Sequence, residues 1–164
     1  MISKKIILTG SFGVGKTSLF NQFIHQQFSD KYLTTIGVKV NKKNLTIDGK
    51  ELSLLLWDIA GEVAQDKVPA SYFLGAGGII YVVDLSRPMT FINMKSDLAF
   101  LQKLLPDTTI IIVGNKRDLV SAADLTEMAL NLEVKWDFTT SAKTGENVEA
   151  LFIELGKRLI ANHW

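Results

Sequence analysis

The segment GSFGVGKT at residues 10–17 restricts the fold of this chain more than any other feature of its sequence. It matches the pattern G-x-x-x-x-G-K-[ST] at every specified position. A short apolar run at residues 6–9 comes directly before it, and a run with helical spacing begins at residue 17. The pattern therefore predicts a strand, a glycine-rich loop and a helix in succession, with the loop at the carboxyl end of the strand.

Apolar runs of two kinds alternate along the rest of the chain. Short β-branched runs predict strands at residues 6–9, 79–84, 110–113 and 134–139, and the first three are apolar enough to be buried on both faces. Helical spacing predicts helices at residues 17–25, about 66–74, 90–105, 122–130 and 147–160. Residues 38–47 and 51–57 predict an antiparallel pair, because Asp48-Gly49 between them tolerates the positive φ of a tight turn. The expected fold is an α/β domain with a six-stranded, mostly parallel sheet, one antiparallel hairpin strand and helices on both faces.

Length and composition exclude several classes of protein. A chain of 164 residues is of ordinary size for one domain, so residues 1–164 are expected to form a single unit. The formal net charge of +1 gives no basis for binding nucleic acid, which normally requires a basic excess or patch. The absence of cysteine excludes disulfides, thiolate metal sites and prenylation, and it is compatible with a cytoplasmic location. No apolar stretch approaches the ~18 residues that a membrane-spanning helix needs.

The glycine-rich segment has the chemistry of a phosphate site. Glycines allow the backbone to curl so that successive N–H groups point at phosphate oxygens, and the helix that follows adds the positive end of its dipole. Lys16 is expected to reach the β- and γ-phosphates, and the Thr17 hydroxyl is suited to Mg²⁺, which prefers hard oxygen ligands. The candidate phosphate ligands are Gly13, Val14, Gly15, Lys16, Thr17 and Ser18.

Two later segments indicate the base that accompanies those phosphates, since the phosphate loop alone leaves ATPases, nucleotide kinases and GTPases open. Residues 114–118, GNKRD, end a predicted strand, and the Asp118 carboxylate can accept two hydrogen bonds from an edge of guanine that adenine lacks. Residues 141–143, SAK, follow the last predicted strand, where a backbone N–H would bond guanine O6. An Asn-x-x-Asp pattern alone would more often cap a turn, but this order and spacing favour guanine. The candidate base-site residues are Asn115, Lys116, Asp118, Ser141, Ala142 and Lys143.

With these segments the chain resembles the Ras superfamily of small GTPases, and most closely its Rab branch, over about residues 3–160. Two more segments carry the resemblance: TTIGV at residues 34–38, like switch I of Rab proteins, and WDIAGE at residues 57–62, like the WDTAGQ of switch II. The resemblance implies a P-loop GTPase fold, the G domain, which binds GTP or GDP with Mg²⁺, hydrolyses GTP and acts as a molecular switch. It also implies a monomer whose switches contact protein effectors and regulators.

The resemblance assigns roles to residues in and near both switches. Thr35 would bind Mg²⁺ when GTP is present, Asp58 would hold the ion through water, and the Gly61 N–H would bond the γ-phosphate. Phe28 would pack on the guanine, although an aromatic residue after an amphipathic helix is more often part of a core. The position of Asp58 also predicts a role at the metal. A carboxylate at that strand end would face the phosphate loop, where the ion would lie. The residues expected to act in hydrolysis are Lys16, Thr35, Gly61 and Glu62, and those expected at the metal are Thr17, Thr35 and Asp58.

Glu62 departs from the family pattern, which has a glutamine there to orient the attacking water. A carboxylate can only accept hydrogen bonds, and it carries a charge near the γ-phosphate. Repulsion could hold Glu62 away, or Glu62 could still accept a hydrogen bond from the water. Slow but real hydrolysis is the expectation, with Gln65 as the less favoured substitute, and a binding module with little or no hydrolysis is the rival. An ATP-using enzyme such as a nucleotide kinase would need a lid and a second substrate site that this pattern does not supply.

Phe12 and the C-terminus are two further departures. Most relatives have a small residue in place of Phe12, whose ring would overhang the γ-phosphate and block the path of a partner's arginine finger, unless it points to solvent or packs on switch II. None of the three arginines lies within a switch, so no arginine finger in cis is expected. The sequence ends at Trp164 without the lipidated cysteines of Rab tails, so either the tail was removed or no direct membrane anchor is used.

Overall fold

The computed structural model describes residues 1–26, 38–59 and 69–163 of the protein. Within these residues the strands are β1 (Ile2–Gly10), β2 (Val38–Ile47), β3 (Lys50–Ile59), β4 (Ala76–Asp84), β5 (Thr109–Asn115) and β6 (Phe138–Thr139). The helices are α1 (Lys16–His25), α2 (Ala70–Phe73), α3 (Met94–Leu104), α4 (Ala122–Leu130) and α5 (Val148–His163), with 3₁₀ turns at Pro88–Phe91 and Arg117–Leu119. Strands and helices alternate apart from the β2–β3 hairpin, as the apolar runs predict.

The described strands form one six-stranded sheet in the order β2-β3-β1-β4-β5-β6. β2 and β3 pair antiparallel, and every other neighbouring pair is parallel. The hairpin turns at Asp48 and Gly49, whose φ angles of 51° and 79° are the two positive values that a tight type I′ turn requires. The expected mixed sheet is therefore confirmed. Because parallel strands end at the same edge, the carboxyl ends of β1, β3, β4 and β5 all meet at one side of the molecule.

Apolar side chains alternate between the two faces of the sheet, and each face is covered by helices. Ile6 and Leu8 of β1 lie in one core with α1 and α5, where the rings of Phe23 and Phe152 stack with their centroids 3.6 Å apart. Ile7 lies in the other core, with α3. Full burial of such a side chain contributes about 1.5–3 kcal/mol to folding. Burial on both faces explains the uninterrupted apolar run of β1 and confirms the expected helices on both sides of the sheet.

The last strand is much shorter than the sequence predicts. The apolar pattern predicts a strand from residue 134, but β6 begins only at residue 138. The Asp137 side chain accepts a hydrogen bond from the Ile112 N–H at 2.8 Å, so a side chain occupies the position that a backbone carbonyl of a longer strand would fill. Val134 and Trp136 instead pack against the core that contains α3.

Two predicted helices also differ at their starts. The helix predicted at residues 90–105 begins at Met94, because the Thr90 hydroxyl donates to the Arg87 carbonyl at 2.8 Å and accepts from the Asp84 N–H at 2.9 Å. These bonds tie the chain to the end of β4 before the α-helix starts. Of the helix predicted at residues 66–74, residues 66–68 lie outside the described part of the chain, and α2 begins at residue 70. None of the described helices has the length and apolar character that crossing a bilayer demands.

Candidate nucleotide-binding site

The phosphate loop leaves β1 at Gly10 and enters α1 after Gly15. These two glycines have φ angles of 144° and 100°, in the region that favours glycine. A Cβ at Gly10 would lie 2.2 Å from the Val82 carbonyl oxygen, and one at Gly15 would lie 2.3 Å from Nδ2 of Asn115. The loop therefore needs glycine both for its backbone path and for its close packing on the ends of β4 and β5.

The first turn of α1 is open to an anion. Its N-cap residue is Gly15, which has no side chain with which to cap the helix. The first backbone N–H groups of a helix have no intrahelical partner and carry the positive end of the dipole, so they favour a negatively charged ligand. The predicted phosphate ligands from Gly13 to Ser18 all belong to this loop and helix start.

Lys16 is folded back over the loop and is almost fully buried. Its Nζ donates to the Gly10 carbonyl at 3.1 Å and to the Ser11 carbonyl at 3.0 Å. Burial lowers the pKa of Lys16 to about 8, although the negative charge of Asp58 acts in the opposite direction. The loop thus holds a desolvated amine close to its own backbone, where phosphate oxygens would stabilise the protonated form.

Two oxygen ligands meet between α1 and the end of β3. The Thr17 hydroxyl donates to Asp58 Oδ2 at 2.5 Å, and both side chains are buried. A hydroxyl and a carboxylate are the hard donors that Mg²⁺ prefers, so this pair fits the ion. Within the described residues no cluster of three or more His, Asp or Glu side chains is placed to hold a metal. The pair accordingly suits an ion that also takes ligands from phosphate and water, as Mg²⁺ usually does.

Asn115 joins the phosphate loop to the predicted base site. It is buried at the end of β5, and its Nδ2 donates to the Val14 carbonyl at 3.0 Å. Its Oδ1 accepts from the Thr140 hydroxyl at 3.0 Å and from the Ala142 N–H at 3.3 Å. One amide side chain therefore links the loop after β1 to the loop after β6 by hydrogen bonds.

The predicted base-site residues lie together beyond Asn115. Asp118 Oδ1 accepts from the buried Ser141 hydroxyl at 2.8 Å, which fixes the carboxylate while Asp118 itself remains exposed. The Ala142 N–H, one of the backbone N–H groups of the segment expected to bond guanine O6, donates to Asn115 Oδ1. Lys143 is exposed beside them. The structure thus brings the segments 115–118 and 141–143 together as the spacing predicts.

Lys116 points back to the phosphate loop. Its backbone is left-handed, with φ of 65°, and its Nζ lies 2.9 Å from the Gly13 carbonyl and 2.9 Å from Asp84 Oδ2. Burial works to raise the pKa of Asp84, but hydrogen bonds from Ser86 and Lys116 outweigh it and hold that pKa below its ordinary value. Sequence reasoning did not include Asp84, although its position as the last residue of β4, at the same edge as Asn115, was an available signal.

The arginines differ in their relation to the site. Arg87 Nη2 donates to the Phe12 carbonyl at 2.7 Å, a contact that the sequence did not predict. Arg117 donates to the Val120 carbonyl at 2.5 Å, and Arg158 pairs with Glu154 at 3.0 Å on α5. Phe12 is exposed, with a relative accessibility of 39%, and the position of its ring over the γ-phosphate stays a prediction.

Four predicted site residues lie outside the described part of the chain. They are Phe28, Thr35, Gly61 and Glu62, and the possible substitute Gln65 lies there too. Their roles stay predictions.

Comparisons with known proteins show the family of the chain. The chain matches the Ras family over residues 5–161. It is 37% identical over 158 residues to Ras-related protein SEC4 of Saccharomyces cerevisiae, a match that covers 93% of this chain and 73% of that protein. It is 32% identical over 160 residues to Ras-related protein RABE1e of Arabidopsis thaliana, with the same shares covered. The chain therefore belongs to the Ras superfamily of small GTPases and is Rab-like.

Proposed function

We propose that residues 1–164 act as one G domain that binds GTP and GDP with Mg²⁺, hydrolyses GTP slowly and works as a Rab-like molecular switch. The observation that carries this proposal is the Asn115 side chain, which bonds the phosphate loop at Val14 and the Ala142 backbone at once. A loop suited to phosphate and a pocket edge suited to guanine are thereby held as one unit. Membership of the Ras superfamily supports the same reading.

Phosphate binding follows from the loop and the start of α1. The N–H groups of the loop and the Lys16 ammonium would bind the β- and γ-phosphate oxygens. Thr17 and Asp58 would hold Mg²⁺, together with Thr35 when GTP is bound. The ion, when bound, would neutralise negative charge on the phosphates.

Guanine selection follows from the carboxylate of Asp118. Ser141 holds one carboxylate oxygen at 2.8 Å, so the group is oriented before the base arrives. Guanine can donate to it from N1–H and N2–H₂, whereas adenine cannot and would leave the carboxylate without its partner. The Ala142 N–H, whose contact with Asn115 is long at 3.3 Å, would bond guanine O6.

Hydrolysis and signalling depend on the two switches. Gly61 would bond the γ-phosphate, Phe28 would cover the base, and Glu62 would position water less well than the glutamine of relatives. Because the γ-phosphate and Mg²⁺ order such segments, effectors and regulators would bind this surface according to the nucleotide. We expect the protein to act as a monomer.

Competition between nucleotides that carry different bases tests the assignment of guanine recognition to Asp118. Fluorescent GDP should bind the purified protein with Mg²⁺, and competition should be strong with GTP and at least 10⁴-fold weaker with ATP. Asp118→Asn should shift the preference from guanine to xanthine nucleotides, because the amide can donate where the carboxylate accepts. Asp107→Asn, a change of the same chemistry outside the site, should leave the preference unaltered. Equal competition by ATP and GTP would refute guanine recognition by Asp118.

A further inference from the structure

A buried carboxylate beside the phosphate loop holds two cations. Asp84 is fully buried, and its Oδ2 lies 3.0 Å from Arg87 Nε and 2.9 Å from Lys116 Nζ. Its Oδ1 accepts from the Ser86 N–H at 2.9 Å and from the Ser86 hydroxyl at 2.6 Å. Both oxygens are therefore engaged, and the carboxylate fixes the two cations relative to the end of β4.

Each cation continues to a different carbonyl of the phosphate loop. Lys116 Nζ donates to the Gly13 carbonyl at 2.9 Å, and Arg87 Nη2 donates to the Phe12 carbonyl at 2.7 Å. The guanidinium also lies close against Gly13, since a Cβ there would be 3.3 Å from Nη2. Two successive peptide groups of the loop are thus held from one carboxylate.

The direction of a carbonyl sets the direction of the next N–H. In a planar trans peptide the C=O and the following N–H point in opposite directions. Holding the Phe12 carbonyl toward Arg87 therefore turns the Gly13 N–H to the other side of the loop, and holding the Gly13 carbonyl turns the Val14 N–H likewise. Gly13 and Val14 are the loop residues whose N–H groups are proposed to bind phosphate.

We propose that Arg87 is a positioning residue that clamps the phosphate loop at Phe12 and thereby slows the release of bound guanine nucleotide. The inference rests on the proposed function, because it concerns retention of the nucleotide by that site. Arginine is suited to this role since its planar fork offers Nε to Asp84 and Nη2 to the loop at the same time. A lysine at position 87 would offer a single nitrogen in place of the two guanidinium nitrogens that separately contact Asp84 and the Phe12 carbonyl.

The test is the rate at which preloaded fluorescent GDP leaves the protein when excess unlabelled GDP and Mg²⁺ are added. Arg87→Ala should raise the release rate about tenfold, the effect of losing one hydrogen bond from a charged donor. Arg87→Lys should also release GDP faster than wild type. Because it keeps a cation near Asp84, this variant serves as the test if Arg87→Ala does not fold. Arg158→Ala removes an arginine from an ion pair with Glu154 on α5 and should release GDP at the wild-type rate.

Three results would overturn the proposal. One is release from both Arg87 variants within twofold of wild type. Another is an equal acceleration in Arg158→Ala, which would indicate general loosening of the domain. The third is slower single-turnover GTP hydrolysis with unchanged GDP release, which would place Arg87 at the reaction itself. If the wild-type protein retains no guanine nucleotide, the proposed function fails first, a result distinct from normal retention by the variants.

Discussion

Replacing Asn115 with alanine would remove the link between the phosphate loop and the base-site loop. Its side chain makes three hydrogen bonds, to the Val14 carbonyl, the Thr140 hydroxyl and the Ala142 N–H. A net contribution of about 1 kcal/mol for each bond predicts a loss of about 3 kcal/mol in the free energy of unfolding. For a chain of this size that loss lowers the melting temperature by about 6–12 °C. The alanine leaves buried partners without their bonds, so little of the loss should be recovered.

Urea unfolding of the nucleotide-free protein measures this loss without a contribution from ligand binding. Asn115→Asp is a partner variant that keeps the acceptor for Thr140 and Ala142, loses the donor to Val14 and adds a buried negative charge, so it should lose stability as well. Asn162→Ala is the control, since its exposed side chain makes one bond, to the Thr109 hydroxyl at 3.0 Å. A loss below about 0.5 kcal/mol for Asn115→Ala, or a loss equal to that of Asn162→Ala, would refute the view that Asn115 couples the two loops.

Four further substitutions have defined outcomes. Gly15→Ala should reduce GDP affinity by more than tenfold because its Cβ would meet Asn115 Nδ2 at 2.3 Å. Gly49→Ala is the control, since Gly49 also has a positive φ but an added Cβ would meet no described atom within 4 Å. This variant should lose about 1 kcal/mol of stability and keep its GDP affinity. Similar GDP affinities for the two variants would exclude the clash at Gly15. Folding lowers the pKa of Lys16 from 10.5 to about 8, so between pH 8 and pH 10.5 the unfolded chain binds more protons at Lys16 than the folded protein does. The free energy of unfolding of the nucleotide-free protein, compared with that of Lys16→Met, should therefore rise over this pH range. If urea titrations show a difference in stability between the two proteins that does not change with pH, the pKa of Lys16 is not lowered. Glu62→Gln should raise the single-turnover rate of GTP hydrolysis, and an unchanged rate would mean that Glu62 has no part in positioning water.

Patterns local in the sequence predicted which segments meet, because parallel strands end at one edge of the sheet. The glycine-rich loop, residues 115–118 and residues 141–143 each follow a strand, so the topology alone brings them together. The hairpin was equally accessible, since Asp48 and Gly49 have the backbone freedom that a two-residue turn needs. The hairpin therefore has a local cause, whereas the site also depends on the strand order that brings these segments to one edge.

Contacts between distant segments could not be predicted in this way. Arg87 meets the Phe12 carbonyl across 75 positions of sequence, and nothing in the residues around either one specifies the other. The shortness of β6 has a similar origin, because the Asp137 carboxylate replaces a backbone acceptor opposite Ile112. Such hydrogen bonds from a side chain to remote backbone form only in the assembled sheet, so strand propensity does not predict them.

Single-turnover hydrolysis of GTP by the Mg²⁺-loaded protein tests the proposed switch most directly. Phosphate release should be slow but measurable, and it should be lost in Lys16→Ala, whose amine lies buried in the phosphate loop. Arg158→Ala should match wild type, since its ion pair with Glu154 lies on α5. GTP retained without hydrolysis over many hours would contradict the switch and favour a binding module, with Glu62 and Phe12 as the first residues to exchange.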